Sequence, residues 1–197
     1  MRDYDIVIVG GGLAGSMAAL SATRARSDHS VALVTRDETT LQAASGLVDV
    51  LGYTPGGEGP ISNPFERITD LPKDHPYATV GVERVRDGLS LFDDVAGETY
   101  GGGQTDRNAL VPTHYGRVKP TARYPKTVEA GLASEERQTA LVGFRRLTGL
   151  DVSLAASRLS NTLPYEVTGF DIRFPMEAID GAGDPESLSV TVPEAFD

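Results

Sequence analysis

The run Ile6-Val7-Ile8-Val9-Gly10-Gly11-Gly12-Leu13-Ala14-Gly15, continuing into Ser16-Met17-Ala18-Ala19-Leu20, constrains the fold of this chain more than any other feature. An apolar β-branched run reads as a buried strand, Gly-x-Gly-x-x-Gly as a tight turn, and the residues after it as a helix. Gly10 permits the turn, Gly12 lets backbone approach a phosphate or pyrophosphate, and Gly15 lets the helix lie close on the strand. The helix N-terminus adds unpaired N–H groups and a partial positive charge. That charge is worth about 0.3 to 1 kcal/mol for an exposed anion and up to ~2 when partly buried. Val31-Ala32-Leu33-Val34 follows at the spacing of a βαβ unit, whose crossover is expected to be right-handed. The bland alternative is a glycine-rich α/β turn that binds nothing.

Composition narrows the function classes. The chain has 197 residues, enough for one domain or two small ones with an ample core. Its formal net charge of −10 argues against nucleic-acid or anionic-membrane binding. Lys73, Lys119 and Lys126 are the only lysines, and acidic residues are spread along an Ala- and Gly-rich chain, a pattern resembling that of extreme halophiles. With no cysteine there is no disulfide, thiolate metal site or iron–sulfur cluster on this chain, so redox chemistry requires an organic cofactor. His29, His75 and His114 lack metal-ligand spacing, and no metal is expected. No apolar run approaches the roughly 18 residues of a membrane span, and no signal peptide precedes the first strand. The expectation is a soluble, cytoplasmic chain.

Strands are expected over Asp5–Gly10 and Ser30–Val34, with a helix from Gly12 to about Arg26. The small residues of Ala43-Ala44-Ser45-Gly46 permit a flat ligand to lie against backbone, or simply make a turn. Pro55 to Pro64 reads as loop. A helix is expected between Pro76 and about Val95, with Val82, Val85, Leu89 and Phe92 on one face. Gly101-Gly102-Gly103 reads as a flexible turn. Thr139–Phe144 (strand), Leu150 to about Asn161 (helix) and Tyr165–Phe174 (strand) form a second α/β layer, and Leu188–Val192 is a candidate last strand. Between Arg107 and Thr127 stand Arg107, Arg117, Lys119, Arg123 and Lys126 with no acidic residue, a stretch suited to a phosphate-bearing substrate or acidic partner, or to a solvated loop.

These motifs resemble the B-subunit of the anaerobic, respiratory glycerol-3-phosphate dehydrogenases, flavoproteins of the fumarate-reductase-like superfamily. The resemblance is carried by Asp5 to Gly15, Val34-Thr35-Arg36, Ser45-Gly46-Leu47-Val48-Asp49-Val50-Leu51 and His75-Pro76-Tyr77. It continues through Pro112-Thr113, Gly116 and Lys119-Pro120-Thr121 to Val142-Gly143-Phe144 and Ala155-Ala156-Ser157. It implies an enzyme oxidising sn-glycerol 3-phosphate to dihydroxyacetone phosphate and passing electrons towards membrane quinone. A sister subunit would carry FAD and the substrate chemistry, an iron–sulfur subunit would anchor the complex at the inner face of the membrane, and this subunit would bind FMN, with FAD as the alternative. The implied flavin contacts are Gly10, Gly11, Gly12, Leu13, Ala14, Gly15, Thr35, Arg36, Ser45 and Gly46. His75, Arg117, Lys119 and Arg123 are candidates for substrate or partner contact, and no catalytic acid or base is assigned.

Two departures from the family qualify the resemblance. Thr35 stands where FAD-binding folds usually place a ribose-binding carboxylate, which favours FMN and leaves an NADP-like ligand of Arg36 as a weaker reading. Family members are also longer and return to the dinucleotide domain in their C-terminal half. The expected fold class is therefore α/β. Residues 1–53 form the first part of a discontinuous Rossmann-like flavin unit, residues 54–197 an inserted cap-like α/β region, and the return is missing. The competing readings are a truncated docking subunit without catalysis and an NAD(P)-dependent reductase.

Overall fold

The computed structural model describes residues 3–36, 39–145 and 149–172. Strand β1 (Ile6–Val9), helix α1 (Leu13–Ala25) and strand β2 (Val31–Val34) form the expected βαβ unit. The strands run parallel, from Ile6 beside Val31 to Val9 beside Val34. Asp5 closes the lower end: its carboxylate accepts from the Ser30 amide at 2.8 Å and the Ser30 hydroxyl at 2.7 Å, bonds that hold its pKa below the usual value. Arg24, in the last turn of α1, pairs with Asp94 at 2.7 Å and ties the unit to the rest of the chain.

The stretch from Pro76 to Val95, expected to contain a short helix, holds two, α3 (Pro76–Val80) and α4 (Val82–Ala96), after a short α2 (Pro64–Ile68). Gly81, at φ 86, divides them, because this left-handed backbone cannot continue a right-handed helix. The apolar stripe of α4 is nonetheless used: Val82 and Val85 pack against both Leu51, Ile61, Ile68 and Leu71 and Phe65, Leu89 and Ala122. Phe92 meets Tyr100 edge to face at 4.9 Å.

The stretch 100–125 forms two antiparallel pairs that periodicity did not suggest. β3 (Tyr100–Gly101) pairs with β6 (Tyr124–Pro125), and β4 (Ala109–Pro112) with β5 (Val118–Thr121). Gly101 and Gly102 are consequently buried and held, not part of a flexible turn. A Cβ on Gly101 would lie 2.5 Å from the Tyr124 ring, and one on Gly102, at φ 92, 2.4 Å from the Ala122 carbonyl oxygen. Buried Asn108 donates through Nδ2 to the carbonyls of Leu51 and Ile61, both at 2.9 Å, and so clamps the intervening Pro-rich loop to β4.

A second parallel unit follows: β7 (Thr139–Phe144), α5 (Val152–Thr162) and β8 (Val167–Ile172), with Thr139 beside Val167. The Asp151 side chain caps α5 by accepting from the Leu154 amide at 2.9 Å. The element order is that expected, and the candidate strand Leu188–Val192 lies outside the described residues. The mixed helix and strand content makes the chain an α/β protein. Its core is unevenly distributed: among the described residues, none before Leu51 is buried.

Candidate functional site

At the carboxyl ends of β1 and β2 the chain builds a cradle from backbone. The Gly10 amide donates to Val34 O at 2.8 Å, pinning the start of the loop to the end of β2. Gly10 itself takes φ 118, a conformation open to glycine. A Cβ on Gly15 would fall 1.7 Å from the Gly10 carbonyl oxygen, so only glycine lets α1 approach β1 this closely. Gly12 is the N-cap of α1 and supplies no side-chain bond. The first-turn amides of Leu13, Ala14 and Gly15 therefore have neither an intrahelical partner nor a side-chain cap. No acidic residue stands in that turn to compete with an anion.

Three threonines frame the cradle. A Cβ on Gly11 would lie 2.4 Å from Thr35 Oγ1 and 3.1 Å from Thr39 Cγ2, and one on Gly12 2.8 Å from Thr40 Oγ1. Thr35 was expected from its place after β2. Thr39 and Thr40 were not, although hydroxyl residues a few positions beyond a strand that ends beside a glycine loop are the available signal. The Thr35 hydroxyl donates to Arg36 O at 3.1 Å, leaving its oxygen as an acceptor, and Thr39 Oγ1 accepts from the Leu41 amide. Arg36 is exposed and free of any ion pair among the described residues. An anion-binding loop of glycine amides and hydroxyls, with no acidic residue in the first turn of α1, fits a nucleotide phosphate.

Ser45 and Gly46 sit elsewhere. Ser45 Oγ accepts from the Leu47 amide at 3.4 Å, while Gly46, at φ 74, lies against Pro125 and Tyr100. Val48 then pairs with Arg123 across an isolated bridge. Among the described residues no hydrogen bond joins this turn to the glycine loop.

The four candidate contact residues divide. His75 is the N-cap of α3; its Nδ1 accepts from the Tyr77 amide at 3.1 Å, and its ring lies 5.5 Å from that of Tyr77. Burial and the nearby Asp49 carboxylate push the Tyr77 phenol above its usual pKa. Lys119 Nζ meets Asp49 at 2.7 Å, so His75, Tyr77, Asp49 and Lys119 belong to one neighbourhood. Arg117 closes the β4–β5 turn through its backbone, its amide donating to Thr113 Oγ1 at 3.2 Å, and its side chain is exposed without a partner among the described residues.

Arg123 is committed internally. Only 6% exposed, it donates through Nε and Nη2 to Asp93 at 2.7 and 2.8 Å, and through Nη1 to the carbonyls of Gly102 and Ala122 at 3.0 and 2.9 Å. Arg86 lies 4.0 Å over the Phe65 ring and grips Asp106 with both terminal nitrogens, lowering the aspartate pKa. Both arginines line an open cleft of about 600 Å³. Since each already faces a carboxylate, the cleft offers no unpaired cation from this pair.

A parallel βαβ unit carrying a glycine phosphate cradle at its strand ends defines a nucleotide-cofactor protein. The comparisons narrow the class: the chain belongs to the FAD binding domain family, which it matches over residues 5–185. It is thus a flavoprotein-type α/β chain. A Halobacterium salinarum protein named as the probable B-subunit of anaerobic glycerol-3-phosphate dehydrogenase is 50% identical over 181 residues, covering 91% of this chain and 42% of the relative. Proteins named as the B-subunit of anaerobic glycerol-3-phosphate dehydrogenase from Vibrio cholerae and Vibrio vulnificus are similar over shorter stretches. The first is 37% identical over 58% of this chain and 24% of its own length, and the second 40% identical over 48% and 22%. The chain therefore spans less than half the length of the relatives it matches. No solved structure matches it. The haloarchaeal relative agrees with the acid-rich composition, and no helix among the described residues is long and apolar enough to cross a membrane.

Proposed function

We propose that this chain is a flavin-binding B-subunit of an anaerobic sn-glycerol-3-phosphate dehydrogenase, supporting oxidation of glycerol 3-phosphate to dihydroxyacetone phosphate. Electrons pass towards membrane quinone. The observation that carries the reading is the glycine cradle from Gly10 to Gly15, found in a chain 50% identical to the haloarchaeal B-subunit over 91% of its length. The amides of Leu13, Ala14 and Gly15 would hold the flavin phosphate, with the Thr40 hydroxyl beside them. Thr35 and Arg36 would meet the far end of the ligand, and Ser45 and Gly46 its ring. The bound flavin would supply the redox chemistry, and the protein would position it and tune its potential.

FMN is the favoured flavin, because the end of β2 offers Thr35 where an adenosine ribose is ordinarily held by a carboxylate. The partners are a catalytic FAD-bearing subunit and an iron–sulfur subunit that anchors the complex at the inner face of the cytoplasmic membrane. His75, Lys119 and Arg117 are the side chains left for substrate or partner contact; Arg123 serves the interior. Residues 1–53 are the first part of a discontinuous flavin domain, and residues 54–197 an inserted cap-like region.

Purification in high salt followed by titration with FMN, FAD and NADP tests this reading. A flavin absorption spectrum on the protein, with FMN bound more tightly than FAD and NADP ignored, supports it. A folded chain that takes up neither flavin overturns it.

A further inference from the structure

Helix α4 carries Arg86, Ser90 and Asp93 at helical spacing, so all three share the face that borders the cleft of about 600 Å³. Gly103, Gln104, Thr105 and Asp106 line it from the other side. They belong to a strap, residues 103–107, anchored at both ends. Before it, Gly102 O accepts from Arg123 Nη1 at 3.0 Å; after it, the Asn108 amide donates to Ser62 O at 2.8 Å. Between these anchors, among the described residues, the hydrogen bonds joining the strap to another element are the two from Arg86 to Asp106, at 2.6 and 2.7 Å. Thr105 and Asp106 also line a second cleft of about 600 Å³ on the far side. The strap is thus a wall between two clefts, closed by one ion pair.

The two ion pairs of the first cleft differ in how firmly they hold. Arg123 is buried and bonded to two carbonyls as well as to Asp93, so that pair is fixed. The Arg86 and Asp106 side chains are 39% and 47% exposed. An exposed pair is worth about a fivefold preference at most, which a better anion overcomes. Arg86 keeps its place without Asp106, because its guanidinium lies 4.0 Å over the Phe65 ring. The Arg86 bonds, and beyond them the charge of Arg123, hold the Asp106 carboxyl below its usual pKa, so this carboxylate stands within reach of both cations. Ser90 Oγ and the Gln104 amide line the same cleft and make no hydrogen bond among the described residues.

We propose that this cleft is a phosphate-group site with Asp106 as its built-in occupant: the phosphate of an ester, or free phosphate, takes the Arg86 fork and the strap is released. A monocarboxylate would only replace Asp106 bond for bond. A phosphate brings about two negative charges and a third oxygen, so it fills the fork and still accepts from Ser90 or Gln104. Asp93 opposes it little, since Arg123 neutralises that carboxylate. The volume leaves room for the organic part of an ester. The inference is independent of the flavin reading, because the Gly10–Gly15 cradle is built from other residues.

The test is calorimetric titration of the chain with inorganic phosphate at constant ionic strength, alongside amide resonances of residues 103–107. Saturable binding is expected, and the strap resonances should move with the same Kd. Asp106→Asn, which removes the competing carboxylate, should tighten phosphate by about fivefold. Arg86→Met should weaken it by about tenfold or more, and acetate should bind the parent about tenfold more weakly than phosphate does. Asp106→Asn changes an exposed side chain, so it keeps the test decisive if Arg86→Met does not fold. The inference fails if neither the parent nor Asp106→Asn binds phosphate, if Asp106→Asn binds no more tightly, or if acetate matches phosphate. It fails too if Gly15→Ala abolishes binding while Arg86→Met leaves it intact, which would put the phosphate in the glycine cradle. Titration with sn-glycerol 3-phosphate then distinguishes the sources: tighter binding than inorganic phosphate marks an ester as the occupant, and equal binding the free anion.

Discussion

Replacing Gly15 by alanine should abolish tight flavin binding, and the size of the effect follows from one contact. The added Cβ would start 1.7 Å from the Gly10 carbonyl oxygen, a backbone atom that cannot rotate away. That oxygen must retreat by about 1.3 Å to clear even a 3.0 Å separation, a displacement of the overpacking kind. Gly10 is fixed by its amide bond to Val34 O, so the strain moves α1 and splays the Leu13, Ala14 and Gly15 amides from their common focus. Hydrogen bonds to a charged acceptor contribute about 1.5–3 kcal/mol each. Losing one or two of them costs about 3 kcal/mol, which is roughly a hundredfold in Kd. The assay is titration followed by flavin fluorescence, with Gly88→Ala as the control. Gly88 lies within α4 with no atom within 4 Å of its Cβ position, so alanine there should stabilise the helix by about 0.5–1 kcal/mol and leave flavin affinity unchanged. If Gly15→Ala binds flavin within about twofold of the parent, the glycine loop is not the phosphate site.

Two further outcomes are expected. Arg123→Met should destabilise the fold by about 3 kcal/mol in urea unfolding, the low end for breaking a buried ion pair because Asp93 is partly exposed and can rehydrate. A double-mutant cycle with Asp93→Asn should return a coupling of about 1–3 kcal/mol, and simple additivity would disprove the network. On the acid side, Asp5 and Asp106 have pKa values lowered by Ser30 and Arg86, so the unfolded chain binds protons first. Stability is then complete above the ordinary carboxylate value of about 4 and declines as pH falls through the lowered native values. Urea midpoints should drop over that range and Asp106→Asn should shallow the slope; midpoints indifferent to acid would contradict the two assignments.

The glycine loop was legible because strand, turn and helix are written in consecutive residues and depend on contacts among near neighbours. The break at Gly81 was not, since Val82, Val85, Leu89 and Phe92 keep their helical spacing whether or not Pro76–Val80 continues into them. The pairs β3–β6 and β4–β5 escaped for a different reason. Their strands are two to four residues long and contain Pro112, Pro120 and Pro125, so no alternation survives to be read. What holds them is distant in sequence, as where Val48 pairs with Arg123. The cationic stretch from Arg107 to Thr127 shows the same limit. Locally it lacks carboxylates, yet Asp49 and Asp93 arrive from other elements to neutralise Lys119 and Arg123. Charge pattern alone therefore overstated the cations free to meet a ligand, and Arg117 is the one named site arginine from that stretch left facing solvent.

Local and global demands part company in this chain, and the division bears on how a flavin would be held. The cradle is fixed by contacts inside residues 5–40: Ser30 on Asp5, Val34 on Gly10, and Gly15 against Gly10. None of these needs a buried core, which explains how a phosphate loop can form on a βαβ unit in which, among the described residues, none is buried. The Ser45–Gly46 turn is fixed from the other side, by Tyr100 and Pro125 and by the Val48–Arg123 bridge beyond it. Phosphate and ring would thus be gripped by parts of the protein joined through residues 39–44 and through the Arg24–Asp94 pair.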